Sequence, residues 1–112
     1  MNPSFKHYTV YCTVPDIGTA EKLAGALVES KLAACVNILP GVKSVYSWKG
    51  EICADNELLL IIKTTADVYS SLERKILELH PYETPEIIAL PICEGSADYL
   101  KWLSDSVSGD NE

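Results

Sequence analysis

Residues 34–48 read ACVNILPGVKSVYSW, and the fold turns on how the proline and glycine in their middle are taken. The residues flanking Pro40-Gly41 are strand formers on both sides, Ala34–Leu39 before and Val42–Trp48 after. Proline cannot donate to a strand ladder, so it belongs on an edge strand or at a bulge. Pro40-Gly41 therefore marks a bulge inside one long, bent strand. Lys49-Gly50-Glu51 is then a tight turn, with Gly50 supplying positive φ. The return strand runs from about Ile52 to Thr64. It is densest at Leu58–Ile62, apolar on both faces, as suits a central strand covered on both sides.

Upstream, Tyr8, Val10, Cys12 and Val14 alternate with Thr9, Tyr11 and Thr13, which predicts a first strand. Pro15-Asp16 stops it. Asp16 or Thr19 caps a helix whose Ala20, Leu23, Ala24, Leu27 and Val28 share one face. Downstream, a second helix is expected from about Asp67, capped by Thr65 or Asp67. Its stripe is Val68, Leu72, Ile76 and Leu79, and His80-Pro81 ends it. Tyr82–Pro85 is a loop, and Glu86–Cys93 is the fourth strand. A short third helix follows, with Tyr99, Leu100, Trp102 and Leu103 as packing residues.

The order strand, helix, strand, strand, helix, strand is the ferredoxin-like split βαβ plan, βαββαβ, here with an extra C-terminal helix. The class is α+β, with an antiparallel sheet ordered 4-1-3-2. In that order strands two and four are edges, and Pro40 and Pro91 fall in those two strands. The 112 residues fit a single domain spanning 1–112, with an ordered core of about 7–105 and flexible ends at Met1–Lys6 and Ser106–Glu112.

Sixteen acids against nine dispersed bases leave a formal charge of −7. That balance argues against nucleic acid as a partner. No apolar run reaches the roughly 18–20 residues of a membrane span. The start of the chain carries no apolar signal region, so the expected location is the cytoplasm and no membrane partner is expected. Cys12, Cys35, Cys53 and Cys93 include no Cys-x-x-Cys pair, so no zinc knuckle is predicted.

No local grouping of nucleophile, base and orienting residue stands out, and the six glycines form no phosphate cradle, so the chain does not read as an enzyme. Glu83 and Glu86 flank a loop as solvated charges or as an acid–base pair. Lys63 closes the apolar run of a central strand. Its ammonium either snorkels to solvent or lines a ligand cleft with Tyr82 and Glu86 of the 82–86 loop, where it pairs with a carboxylate or holds an anion. Cys12 and His80 are a candidate soft-metal pair, although Cys12 shares its strand face with Val10 and Val14 and reads equally as core.

Several segments together carry a resemblance: Lys31–Val42 (KLAACVNILPGV), Ser44–Gly50 (SVYSWKG), Leu60–Thr64 (LIIKT) and Leu79–Ile88 (LHPYETPEII). In combination and order they resemble the CutA family of divalent-cation tolerance proteins, over roughly Tyr8 to Leu103. The resemblance implies a cytoplasmic homotrimer linked to copper tolerance and able to bind copper or other divalent metal ions. Its described copper ligands are a first-strand cysteine and two adjacent histidines before Pro-Tyr. Cys12 matches the cysteine and His80 the second histidine, while Leu79 stands in place of the first. Copper is therefore expected to bind weakly, with any third donor coming from Glu83, water or a neighbouring subunit. The long second strand supplies the expected trimer interface through Val42, Val45, Tyr46 and Trp48. The alternative is a PII-like trimeric small-molecule sensor or scaffold, with ligand clefts between subunits. PII-like sensors carry a long loop between strands two and three, where this chain has only the Lys49–Glu51 turn.

Overall fold

The computed structural model describes residues 5–108. Its elements are β1 (His7–Val14), α1 (Ile17–Glu29), β2 (Cys35–Trp48), β3 (Glu51–Thr65), a single 3-10 turn (Ala66–Val68), α2 (Tyr69–Leu79), β4 (Ile88–Pro91) and α3 (Ala97–Ser106). The four strands form one antiparallel sheet ordered β2-β3-β1-β4, the expected 4-1-3-2 read from the other edge.

Side-chain alternation decides the two faces. Val10, Cys12 and Val14 of β1 and Leu58, Leu60 and Ile62 of β3 are buried on one side. They pack against Ala20, Leu23 and Leu27 of α1 and Leu72 and Ile76 of α2. The opposite face, which carries His7, Cys35 and Lys63, meets α3: His7 Nε2 lies 2.8 Å from Ser104 Oγ. That cover is partial. Only Leu103 of α3 is buried, whereas the expected packing residues Tyr99 and Trp102 are exposed and stack on each other, with centroids 5.4 Å apart. Leu59 and Ile61 are accordingly half-buried, while their neighbours on the helix side are buried.

Local capping follows the sequence for α1, where Asp16 accepts a 2.7 Å hydrogen bond from the Thr19 N–H. It departs for α2. The 3-10 turn intervenes and Val68 takes the N-cap position with no side-chain bond, because the Thr65 hydroxyl donates to Asp67 instead of to the helix backbone. β4 is shorter than the expected 86–93, because β1 pairs with it only over Tyr8–Tyr11. The expected loose ends at 1–4 and 109–112 lie outside the described residues. Nearer the core the chain is tied: the Ala66 N–H donates to Lys6 O (2.9 Å) and the Ser108 N–H to Lys31 O (2.9 Å).

The long second strand positions everything that follows. The register of β2 shifts between Leu39 and Val42, where Gly41 has φ +84°. Beyond that bulge Val42–Trp48 pairs only with Glu51–Glu57, because the β1 ladder stops at Leu58. This two-stranded arm is roughly 23 Å long, at about 3.3 Å per residue. Lys49 (φ +52°) and Gly50 (φ +82°) close its tip. The arm gives the molecule its long axis, 44 Å against 25 and 23 Å. A two-stranded ribbon is marginal in water on its own. Val45 and Ile52 on this one remain 67% and 78% exposed.

Candidate functional site

The root of the arm, the end of β1 and the segment after α2 converge on one place. α2 stops where His80 turns to extended backbone (φ −78°, ψ 138°), as the following proline demands. The buried His80 ring then faces β1. Its Nε2 lies 2.8 Å from Thr13 O. A carbonyl only accepts, so Nε2 carries the proton. Nδ1 accepts from the Tyr82 N–H at 3.1 Å. The ring is thus a neutral clamp with both nitrogens engaged. Tyr82 stacks obliquely on it, centroids 4.8 Å apart, and its hydroxyl donates to Glu57 Oε2 at 2.6 Å.

Thr13, His80, Tyr82 and Glu57 therefore form a relay from β1 through the 80–86 segment to the arm. Glu57 is only 6% exposed, so the phenol is its main route to a hydrogen bond inside the fold. Burial, and then the Glu57 carboxylate, push the Tyr82 phenol well above its usual range. On the arm itself the Tyr46 hydroxyl donates to Asp55, which holds that phenol up at about 12.

Over this relay lies a cavity of about 710 Å³. Thr13, Ser44, Val45, Tyr46, Trp48 and Glu57 form one side, and Pro81–Glu83, Thr84 and Glu86 the other. The volume is in the range of small-molecule sites.

Of the residues expected from sequence, Tyr82, Glu83 and Glu86 lie in this wall. Cys12 and His80 come to adjoining places, since His80 bonds the carbonyl of the residue after Cys12. Lys63 does not join them within the chain. Its ammonium donates to Asn37 on β2, six residues along β3 from Glu57, a separation of roughly 20 Å. Val45, Tyr46 and Trp48 sit on the arm and also face the cavity, and Val42 is half-buried at its root. Glu57 and Thr13 were not singled out from sequence. Glu57 ends a polar stretch, Asp55-Asn56-Glu57, and nothing local signals that it is buried.

Copper does not fit the donor set of a single chain. Cys12 is fully buried, and burial, then Glu86, then Glu57 push its thiol from an ordinary 9.0 to about 12. Metal ligation needs the thiolate. Both ring nitrogens of His80 are engaged, Nε2–H donating and Nδ1 accepting. Leu79 packs against the core. Among the described residues no three of His, Cys, Asp or Glu are gathered as metal ligands.

The family model described as CutA1 divalent ion tolerance protein matches residues 8–106. The chain belongs to the CutA1 family. A curated relative, the divalent-cation tolerance protein CutA of Thermus thermophilus, is 52% identical over 97 residues, covering 87% of this chain and 94% of its own. The chloroplastic protein CutA of Arabidopsis thaliana is 50% identical, and the match covers 53% of its length. Among solved structures, the Thermus thermophilus Cut A1 superposes with a TM-score of 0.89 at 49% identity, over 91% of this chain and 99% of that one. CutA1 from Oryza sativa gives 0.90 at 45% identity, over 93% and 95%.

Proposed function

We propose that the chain works in divalent-cation tolerance as a cytoplasmic homotrimer that binds or responds to copper or other divalent ions. The observation that carries this reading is the family match across nearly the whole fold, residues 8–106. The relatives' names describe tolerance to cations and denote no reaction, and the proposal includes no catalytic step.

Support for assembly comes from the arm. The outer edge of β2 is a 14-residue strand with no partner among the described residues. The exposed Val45, Tyr46 and Trp48 extend along it. Such an edge invites pairing with another copy, and a head-to-tail contact closes into a ring. For the metal, Cys12 Sγ and His80 Nε2 both reach the Thr13 carbonyl, at 3.8 and 2.8 Å, with Glu83 in the adjoining wall. With so small a donor set, any copper binding is expected to be weak and completed from outside the single chain. No helix among the described residues is long and apolar enough to cross a membrane. The relative from Arabidopsis thaliana is named chloroplastic, and the Archaeoglobus fulgidus structure is described as periplasmic.

The test is a metal-by-metal titration of the assembled protein under reducing conditions, using Cu(I), Cu(II), Zn(II), Co(II) and Ni(II), beside Cys12→Ala and His80→Ala. Weak copper uptake that both substitutions reduce supports the reading. Tight, stoichiometric copper binding that survives both shows that the site lies elsewhere.

One observation favours a second reading, the small-molecule sensor or scaffold. The 710 Å³ cavity brings Tyr82 and Glu86 together with the aromatic arm. Lys63 of the same chain is remote from it, so in a trimer that lysine would have to come from a neighbouring copy.

A further inference from the structure

We propose that Lys63 of one copy completes the acidic wall of the next, pairing with Glu83 and Glu86 across the interface between copies. This rests on the assembly reading above and names the charges by which the copies recognise one another.

A single chain leaves two sets of charges unanswered. One is the wall between the arm and the 81–86 segment. Its charged lining is Glu57, Glu83 and Glu86, with no Lys, Arg or His. Tyr82 answers Glu57 within the fold, whereas Glu83 and Glu86 are exposed. Val45, Tyr46 and Trp48 belong to the same wall, so in the assembly proposed above another copy closes over these carboxylates. Carboxylates taken out of water without a cation are costly.

The other is Lys63. Of the nine bases only Lys63 and Lys75 are half-buried, and Lys75 reaches Glu78 on its own helix at 4.0 Å. The Lys63 ammonium donates to the neutral Asn37 side chain and, among the described residues, meets no carboxylate. Its cross-strand neighbours are Thr9 and Cys35, on the sheet face away from α1 and α2. Leu39, Ile88 and Leu90 are exposed on that same face. An ammonium set among them loses its water when a second copy covers the face, and it then requires an anion.

The two sets cannot meet within one chain. Lys63 lies six residues along β3 from Glu57, roughly 20 Å, and Tyr82 ties Glu57 to the segment that carries Glu83 and Glu86. A head-to-tail ring joins two different patches of identical chains. The acidic wall and Lys63 are such patches, opposite in charge and separated along the sheet.

The experiment is zero-length coupling of the full chain, as assembled in solution, with a water-soluble carbodiimide. This reagent condenses a carboxylate with an amine in direct contact, and water is lost. Digestion and mass spectrometry then locate the amide. The expected result is covalent dimers and trimers joined from Lys63 to Glu83 or Glu86, a link that the separation of roughly 20 Å forbids within one chain. Lys63→Met should raise the protein concentration at which the assembly dissociates in mild denaturant by about tenfold or more. Lys63→Glu should dissociate it further, and adding Glu83→Lys and Glu86→Lys to that variant should restore the assembly. That rescue would not follow if Lys63 served only the packing of its own chain. An assembled parent that forms no amide at Lys63, or forms it with another acid, overturns the pairing and leaves the assembly reading standing. A monomeric parent by sedimentation overturns both.

Discussion

Raising the pH should unfold this protein partly through one thiol. Cys12 is fully buried, and its pKa is about 12 in the fold against an ordinary 9.0. A pKa raised on folding means that the folded state holds the proton more tightly than the unfolded chain. The resulting stability is complete below pH 9 and is lost as pH climbs towards 12. At about 1.36 kcal/mol per unit, the three units amount to about 4 kcal/mol, of which more than half is gone by pH 11. Tyr46 and Tyr82 are raised as well, and their titration adds to the alkaline loss. Comparison with Cys12→Ala removes that common part. The assay is denaturant unfolding of both proteins at pH 8 and pH 11, at one protein concentration and with reductant present. The alanine variant starts less stable because it leaves a small core void, and that offset is independent of pH. Between pH 8 and 11 the parent should lose on the order of 3 kcal/mol per chain more than the variant. Equal losses would refute the reasoning, since they would mean that the buried thiol ionises at its ordinary pH. The same shift bears on metal. Forming the thiolate at neutral pH costs about a thousandfold more than at a free cysteine, which is the main physical reason to expect weak copper binding at Cys12.

Tyr82→Phe removes the hydroxyl from the buried Glu57 and should lower stability by about 1–2 kcal/mol in denaturant titrations at pH 7; unchanged stability would show that the carboxylate finds another partner. Sedimentation should give the mass of three copies at micromolar concentration, and Val45→Asp or Trp48→Asp should shift it to one copy or unfold the chain; a monomeric parent would sink the assembly proposal. Leu79→His should raise copper affinity at least tenfold by adding an imidazole beside His80; no gain would mean that this position does not face the proposed donors.

Much of the fold was legible because its signals are local. Alternation along β1 put Cys12 with Val10 and Val14 on the buried face, and the structure keeps all three there. Pro40-Gly41 could be read as a bulge because proline and glycine act through their own backbone, and the register shift falls at that pair. The misjudged features depend on partners far along the chain. The length of β4 is set by how far β1 extends beside it. The exposure of Tyr99 and Trp102 is set by how little of α3 the sheet face covers.

The site shows the same division more sharply. Residue type alone names His80 as a metal donor, because an imidazole has a nitrogen lone pair to give. Whether that lone pair is free depends on Thr13, 67 residues away, and on the Tyr82 N–H, whose direction follows from how Pro81 turns the chain. With Nε2–H aimed at a carbonyl and Nδ1 accepting an amide, the ring fastens the 80–86 segment to β1. To bind a metal at either nitrogen it would have to release one of those two bonds. Glu57 makes the complementary case. In sequence it is one more acid in a polar stretch, and it becomes a buried carboxylate where β3 passes the 80–86 segment and takes the Tyr82 hydroxyl. The chemistry of this wall is therefore set by contacts between the end of β1, Glu57 of β3 and the turn after α2. The one imidazole nearby is already occupied in holding that wall together.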